Sequence, residues 1–97
     1  MFLRNMEILH RDSPHRGEFY IELNGQKVGA MTYVWAGTDR IIIDHTEVGP
    51  ELKGMGAGKQ MVAAAVQFAR NTGIKIVPLC PFAKSVFDKV AEYHDVL

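Results

Sequence analysis

The stretch that decides the fold runs from residue 48 to residue 70 and reads VGPELKGMGAGKQMVAAAVQFAR. An extended segment, Arg40 to Val48, feeds into a loop with glycines at 54, 56 and 58, and the loop runs straight into an amphipathic helix. Glycines let backbone N–H groups approach a ligand without side-chain obstruction. A helix start adds N–H groups with no partner inside the helix and the positive end of its dipole. Such a turn is an anion site, most naturally for phosphate. From Lys59 the pattern is helical: Met61, Val62, Ala65, Val66 and Ala69 share an inward face, while Lys59, Gln60, Ala63, Gln67 and Arg70 form the other. Asn71-Thr72-Gly73 supplies the stop.

Upstream of that stretch the chain alternates. Met6 to His10 reads as a short strand, and Arg11 to Arg16 as a polar loop. Glu18 to Leu23 is a second strand, with Phe19, Ile21 and Leu23 on one face. Asn24-Gly25 is a strong hairpin signal, because a type I′ turn needs positive φ at both central residues. Gln26 to Trp35 returns, with Val28, Ala30, Thr32 and Val34 on one side. After a turn at Ala36 to Asp39, Arg40 to Val48 completes an antiparallel meander. Downstream, Ile74 to Leu79 is a strand with Pro78 near its end. A second helix carries Phe82, Val86 and Val90 beside Ala83, Phe87 and Ala91, and Glu92 to Leu97 is a loop or last turn. The order β-β-β-β-α-β-α predicts an α+β fold. Its strand–helix–strand unit crosses over and pairs in parallel, and a ligand enters where the two strands diverge.

A chain of 97 residues makes one domain, residues 1–97. Eleven basic residues balance eleven acidic ones, and no basic cluster is interleaved with aromatics, so neither nucleic acid nor a membrane surface is an expected partner. The segment Met1 to Glu7 mixes Arg4, Asn5 and Glu7 into its apolar residues and lacks a signal-peptide core. The longest apolar run, Met61 to Val66, is too short for a bilayer. The single Cys80 fits a reducing compartment. A soluble, cytoplasmic protein is expected. Four scattered histidines and one cysteine give no metal-site spacing, so no metal is expected.

Two nucleotide readings of the glycine loop fail. A P-loop needs G-x-x-x-x-G-K followed by Ser or Thr, but Gly54 and Gly58 are one residue too close and Gln60 follows Lys59. A dinucleotide fingerprint needs G-x-G-x-x-G, and both registers end on a non-glycine, Lys59 or Met61. The run Val48-x-Pro50-Glu51-x-Lys53-Gly54-x-Gly56-x-Gly58 instead resembles the acetyl-CoA pyrophosphate loop of the GNAT-type N-acetyltransferases. Lys53 stands for the usual Arg or Gln, and keeps the charge without the guanidinium fork. The sequence is also similar to a subgroup of very short GNAT-like proteins through His45-Thr46-Glu47-Val48, Val77-Pro78-x-Cys80, Phe82-Ala83-x-x-x-Phe87 and Glu92-Tyr93. Val90-Ala91 departs from the His-Pro of that subgroup. The helices and strands that shape the acceptor pocket of larger relatives have no counterpart here.

The resemblance implies a GNAT-like fold with acetyl-CoA as co-substrate and a splayed parallel strand pair holding it. Val48, Lys53, Gly54, Met55, Gly56, Ala57, Gly58 and Lys59 would hold the pyrophosphate, with Lys53 and Lys59 as counter-charges. The pantetheine arm would run along Glu47 and Val48, and an N–H near His45 to Val48 would meet the thioester oxygen. The acceptor would be a small-molecule or peptide amine. Amine acetylation needs a neutral amine, so His45 or Glu47 is a candidate base; the plainer reading is a His–Glu pair at a strand end. Cys80, alone, reads as a small buried hydrophobe. Its place after the strand and before the last helix makes it also a candidate acyl acceptor, proton donor or wall of the thioester site. Tyr93 is a weaker candidate acid, while His10, His15 and His94 read as solvent-facing. An acyl-CoA-binding or interaction module with little transferase activity is the alternative.

Overall fold

The computed structural model describes residues 6–97, so the reading of the N-terminal segment falls largely outside it, at residues 1–5. The elements are β1 (Leu9–Asp12), β2 (Arg16–Leu23), β3 (Gln26–Trp35), β4 (Arg40–Val48), a 3-10 turn (Pro50–Leu52), α1 (Ala57–Thr72), β5 (Lys75–Pro78), α2 (Pro81–Lys89) and a 3-10 segment (Ala91–Val96). They build one sheet in the order β1-β2-β3-β4-β5, antiparallel through β4 and parallel between β4 and β5. This is the expected α+β arrangement. Asn24 and Gly25 both take positive φ, and Leu23 pairs with Gln26 across them, as a type I′ hairpin requires.

The helices and one sheet face share a core. Phe19, Ile21, Met31, Tyr33, Ile41 and Ile43 meet Met61, Val62, Ala65, Val66 and Ala69 of α1 and Ala83, Val86 and Phe87 of α2. All five residues assigned to the inward face of α1 are buried. Burying a side chain such as Met61 or Val62 contributes roughly 1.5–3 kcal/mol each, so this face rather than helix propensity holds α1 in place. Gly73 ends α1 in the left-handed conformation.

Several boundaries differ from the sequence reading. β1 lies at Leu9–Asp12 rather than at Met6 to His10, because the ladder to β2 runs from Leu9–Tyr20 to Asp12–Gly17. α1 begins two residues before Lys59, taking Ala57 and Gly58 into its buried first turn. α2 ends at Lys89, so Val90 and Ala91 leave the helix. The tail is tied down: Arg70 donates from Nε and Nη2 to the Asp95 carboxylate at 2.9 and 2.8 Å and from Nη2 to the Glu92 carbonyl at 2.6 Å. Tyr93 packs edge-on to Phe87, seven residues along α2 from Cys80. At 1.5 Å per residue that is about 10 Å along the helix, which removes Tyr93 from the Cys80 end.

His10 is exposed, as expected, but it has partners. Its ring stacks on Phe19 at 4.1 Å, and its Nε2 lies 2.8 Å from the Tyr33 hydroxyl. That hydroxyl donates its proton to Asp12 Oδ1 at 2.6 Å, so His10 must be the donor to it. Trp35 Nε1 donates to the same Asp12 oxygen at 2.9 Å. Burial pushes the Tyr33 phenol up, and the bond to Asp12 and its charge push the same way. His94 likewise has a partner, its Nε2 lying 2.6 Å from the Phe87 carbonyl.

Asp12, Gly17 and Tyr33 are cross-strand neighbours in one row, and a Cβ at Gly17 would overlap the Tyr33 hydroxyl and crowd the Arg11 carbonyl. Gly17→Ala should therefore cost about 1–3 kcal/mol, as overpacking does. A urea melt checks it, and unchanged stability would mean that Tyr33 does not hold this position across β2.

Candidate functional site

The glycines of the loop divide into two kinds. Gly54 and Gly56 have φ of 78° and 70°, and a Cβ at either would face open space. Their glycine character meets a backbone need on an open surface. Gly58 is helical and buried, and a Cβ there would stand 2.6 Å from the Phe82 ring. It is glycine because the start of α2 packs on the start of α1. A glycine inside a helical pattern hints at such close packing, but its partner Phe82 could not be named from sequence.

The loop's own hydrogen bonds run from Leu52 N–H to Gly49, from Lys53 to Pro50, from Met55 to Leu52 and from Gln60 to Gly56. The N–H groups of Gly54, Gly56, Ala57, Gly58 and Lys59 have no backbone acceptor among the described residues. No acidic side chain lies in the first turn of α1, and Lys53, Met55 and Lys59 are exposed around it. The residues present fit an anionic diphosphate: a row of donors, an open surface and two lysines.

The gap beside the loop comes from a length mismatch. β5 pairs with β4 only from Arg40–Lys75 to Ile43–Pro78, after which the N–H groups of Leu79 and Cys80 both donate to the Ile43 carbonyl, at 3.0 and 2.9 Å. β4 continues through Asp44, His45, Thr46, Glu47 and Val48, whose β5 side has no ladder partner among the described residues. An extended ligand can pair with this edge as an extra strand would.

A bulge sets which side chains meet that gap. Thr32 pairs with His45 and Tyr33 with Ile43, so Asp44 is an extra residue in β4. Ile41 and Ile43 face the helices; beyond the bulge the parity switches, and Thr46, opposite Met31, takes the helix side. The Thr46 hydroxyl lies 3.3 Å from Cys80 Sγ. Cys80 is buried and caps the start of α2. Burial works against its ionisation but is outweighed by the Thr46 hydroxyl, the N–H groups of Ala83 and Phe82, and the Thr46 backbone, which together hold the thiol below its ordinary pKa. The side chain of Cys80 closes no cap hydrogen bond of good geometry, so the N–H groups act through their field.

His45 and Glu47 lie on the opposite face of the sheet, largely exposed, with His45 Nε2 and Glu47 Oε1 4.0 Å apart. The structure thus brings Cys80 to Thr46 and His45 to Glu47, on the two faces of one strand. Asp44 is a residue that sequence reasoning missed. It stands at the apex of the gap, and its Oδ1 accepts a hydrogen bond from the Thr32 hydroxyl at 2.6 Å. Among the described residues no group of three or more His, Cys, Asp or Glu side chains could hold a metal ion, and no helix is long and apolar enough to cross a membrane.

A sequence model of the GCN5-related N-acetyl-transferase family matches residues 18–96. The solution structure of a protein from Staphylococcus aureus, described as GCN5-like, is similar over 97% of this chain and 89% of that one, with 36% identity and a TM-score of 0.70. The ribosomal-protein-alanine N-acetyltransferase of Brucella melitensis biovar Abortus 2308 is similar over 80% of this chain and 62% of its own, with 16% identity and a TM-score of 0.66. An aminoglycoside N-acetyltransferase, AAC(6')-Iy, solved in complex with CoA, is similar over 79% of this chain and 67% of its own, with 18% identity and a TM-score of 0.56. The last two show the fold alone. No curated protein sequence matches the chain.

Proposed function

Since the chain belongs to the GCN5-related N-acetyltransferase family and is an acetyl-CoA-dependent N-acetyltransferase, we propose that acetyl-CoA lies in the gap between β4 and β5. One observation carries this reading. The unpaired β4 edge and the free N–H groups of the glycine loop are continuous, so one ligand with an extended arm and a diphosphate can use both. The pyrophosphate rests on the free N–H groups of Gly54, Gly56, Ala57, Gly58 and Lys59, with the Lys53 and Lys59 side chains beside it. The pantetheine arm pairs with β4 along Glu47 and Val48, which directs the thioester toward Thr46 and Cys80.

The acceptor is a small-molecule or peptide amine. Its neutral nitrogen attacks the thioester carbonyl, and an N–H of the His45–Val48 run receives the developing oxyanion. The C–N bond forms, the C–S bond breaks and CoA leaves as a thiolate. Cys80 supplies the proton to that thiolate, and the proton lost by the amine passes to His45 or Glu47, directly or through water. The lowered pKa of Cys80 favours one second reading, in which its thiolate takes the acetyl group first and CoA leaves before the amine attacks. Acetyl-CoA titrated into the protein should raise its melting temperature, because any ligand of the folded state does so. No shift at saturating acetyl-CoA would sink the whole reading.

A further inference from the structure

The sheet face opposite the helices carries a concavity of about 440 Å³ lined by Arg11, Arg16, Glu18, Thr32, Val34 and Asp44, among others. Its Asp44 wall is the first residue of β4 beyond the last pair with β5. The concavity therefore opens beside the apex of the gap, on the face away from Cys80 and α1. Resting on acetyl-CoA lying in that gap, the geometry points to this concavity as the acceptor site, and to an acceptor that carries a carboxylate as well as its amine.

The charges give the acceptor class. Glu18 is already used twice, by Arg11 Nη1 at 3.0 Å and by Lys27 Nζ at 2.8 Å. Arg11 also donates to the Tyr20 hydroxyl at 3.1 Å. Of the charged residues named in the lining, Arg16 and Asp44 are the two without an ion-pair partner among the described residues. Arg16 pairs with Val34 across β2 and β3, which puts its side chain on the outer face with Thr32 and Asp44. From strand spacing and rise the two backbones stand about 11 Å apart. A long Arg and a short Asp side chain then leave between them the span of a short carbon chain, with Val34 beneath it. The Asp44 carboxylate, held at Oδ1 by Thr32, receives the amine end next to the thioester, and the Arg16 guanidinium receives the carboxylate with its planar fork.

The test is a series of ω-amino acids from β-alanine to 6-aminohexanoate, each against the alkylamine of the same chain lacking the carboxylate. CoA release from acetyl-CoA gives turnover, and backbone amide shifts of Arg16 and Asp44 give binding. At least one amino acid should exceed its matched amine by about tenfold in kcat/KM, the size of one charge-assisted hydrogen bond, about 1.4 kcal/mol. Arg16→Gln should abolish that preference while leaving the acetyl-CoA thermal shift intact, and Arg16→Lys should restore part of it. Asp44→Asn should weaken amino acid and amine alike. Equal use of amines and amino acids, a preference that survives Arg16→Gln, or no shift at Arg16 and Asp44 with any member of the series would each overturn the proposal. Loss of the acetyl-CoA shift in the wild-type protein would instead overturn the reading of the gap.

Discussion

Gly56→Asp is expected to abolish acetyl-CoA binding while leaving the protein folded. Gly56 sits at the cap position of α1 with φ of 70°, and no neighbour stands where its side chain would go. Asp is among the few residues that visit the left-handed region. A carboxylate at a helix start also interacts favourably with the free N–H groups and the dipole. The same carboxylate then competes for the donors that the pyrophosphate needs and repels it. Losing even two charge-assisted hydrogen bonds costs about 3 kcal/mol or more, and weakens binding at least about a hundredfold. In the wild-type protein, acetyl-CoA at a hundred times its Kd adds about 2.7 kcal/mol of stability. Calorimetric titration and thermal shift of the two proteins check the difference. An unchanged acetyl-CoA shift in a folded Gly56→Asp would remove the glycine loop from the binding site.

Cys80→Ala should lower kcat by about a hundredfold or more, the lower range of general acid catalysis, with little change in the KM for acetyl-CoA. The thiol donates nothing to the diphosphate or to the β4 edge, so its removal touches the chemical step rather than binding. Cys80→Ser keeps the contact to Thr46 but ionises far less readily, and should remain slow. Intact mass after incubation with acetyl-CoA separates the two routes: an acetyl adduct that depends on Cys80 supports the covalent one. Full turnover in Cys80→Ala would leave Cys80 as packing alone. The thiolate absorbance of the folded protein should also titrate at lower pH than that of the unfolded chain, as the Thr46 hydroxyl and the start of α2 require. On that account folding is favoured above the unfolded thiol's pKa, and the gain is lost as pH falls through the folded one.

Local rules made much of the fold legible. The Asn24-Gly25 turn, the bounds of β3 and β4, the buried face of α1 and its glycine stop all follow from φ preferences and from periodicity, which neighbouring residues express without knowledge of the rest of the chain. The glycine spacing also marked a loop with free backbone N–H groups, because such a run leaves its trace in a few consecutive residues. Element ends were less legible. β1 and the last segment are placed by partners outside themselves, the ladder to β2 and the distant Tyr33 for the one and the distant Arg70 for the other. His10 and His94 are exposed as expected, but the rings and carbonyls that they contact lie 7 to 58 residues away and could not be named from sequence.

By itself the sequence determined the order of elements, the antiparallel meander with one parallel pair, and a glycine loop that runs into the first helix. Tertiary structure alone decided which side chains meet. One extra residue, Asp44, reverses the side-chain parity of β4, so Thr46 turns toward Cys80 while His45 and Glu47 turn to the other face. Composition cannot show that reversal, because a bulge is set by the register against β3 and not by the strand's own residues. The split of the glycines has the same origin. Gly54 and Gly56 answer to local backbone angles, whereas Gly58 answers to Phe82, twenty-four residues on, which reaches it only after β5 has brought the second helix back.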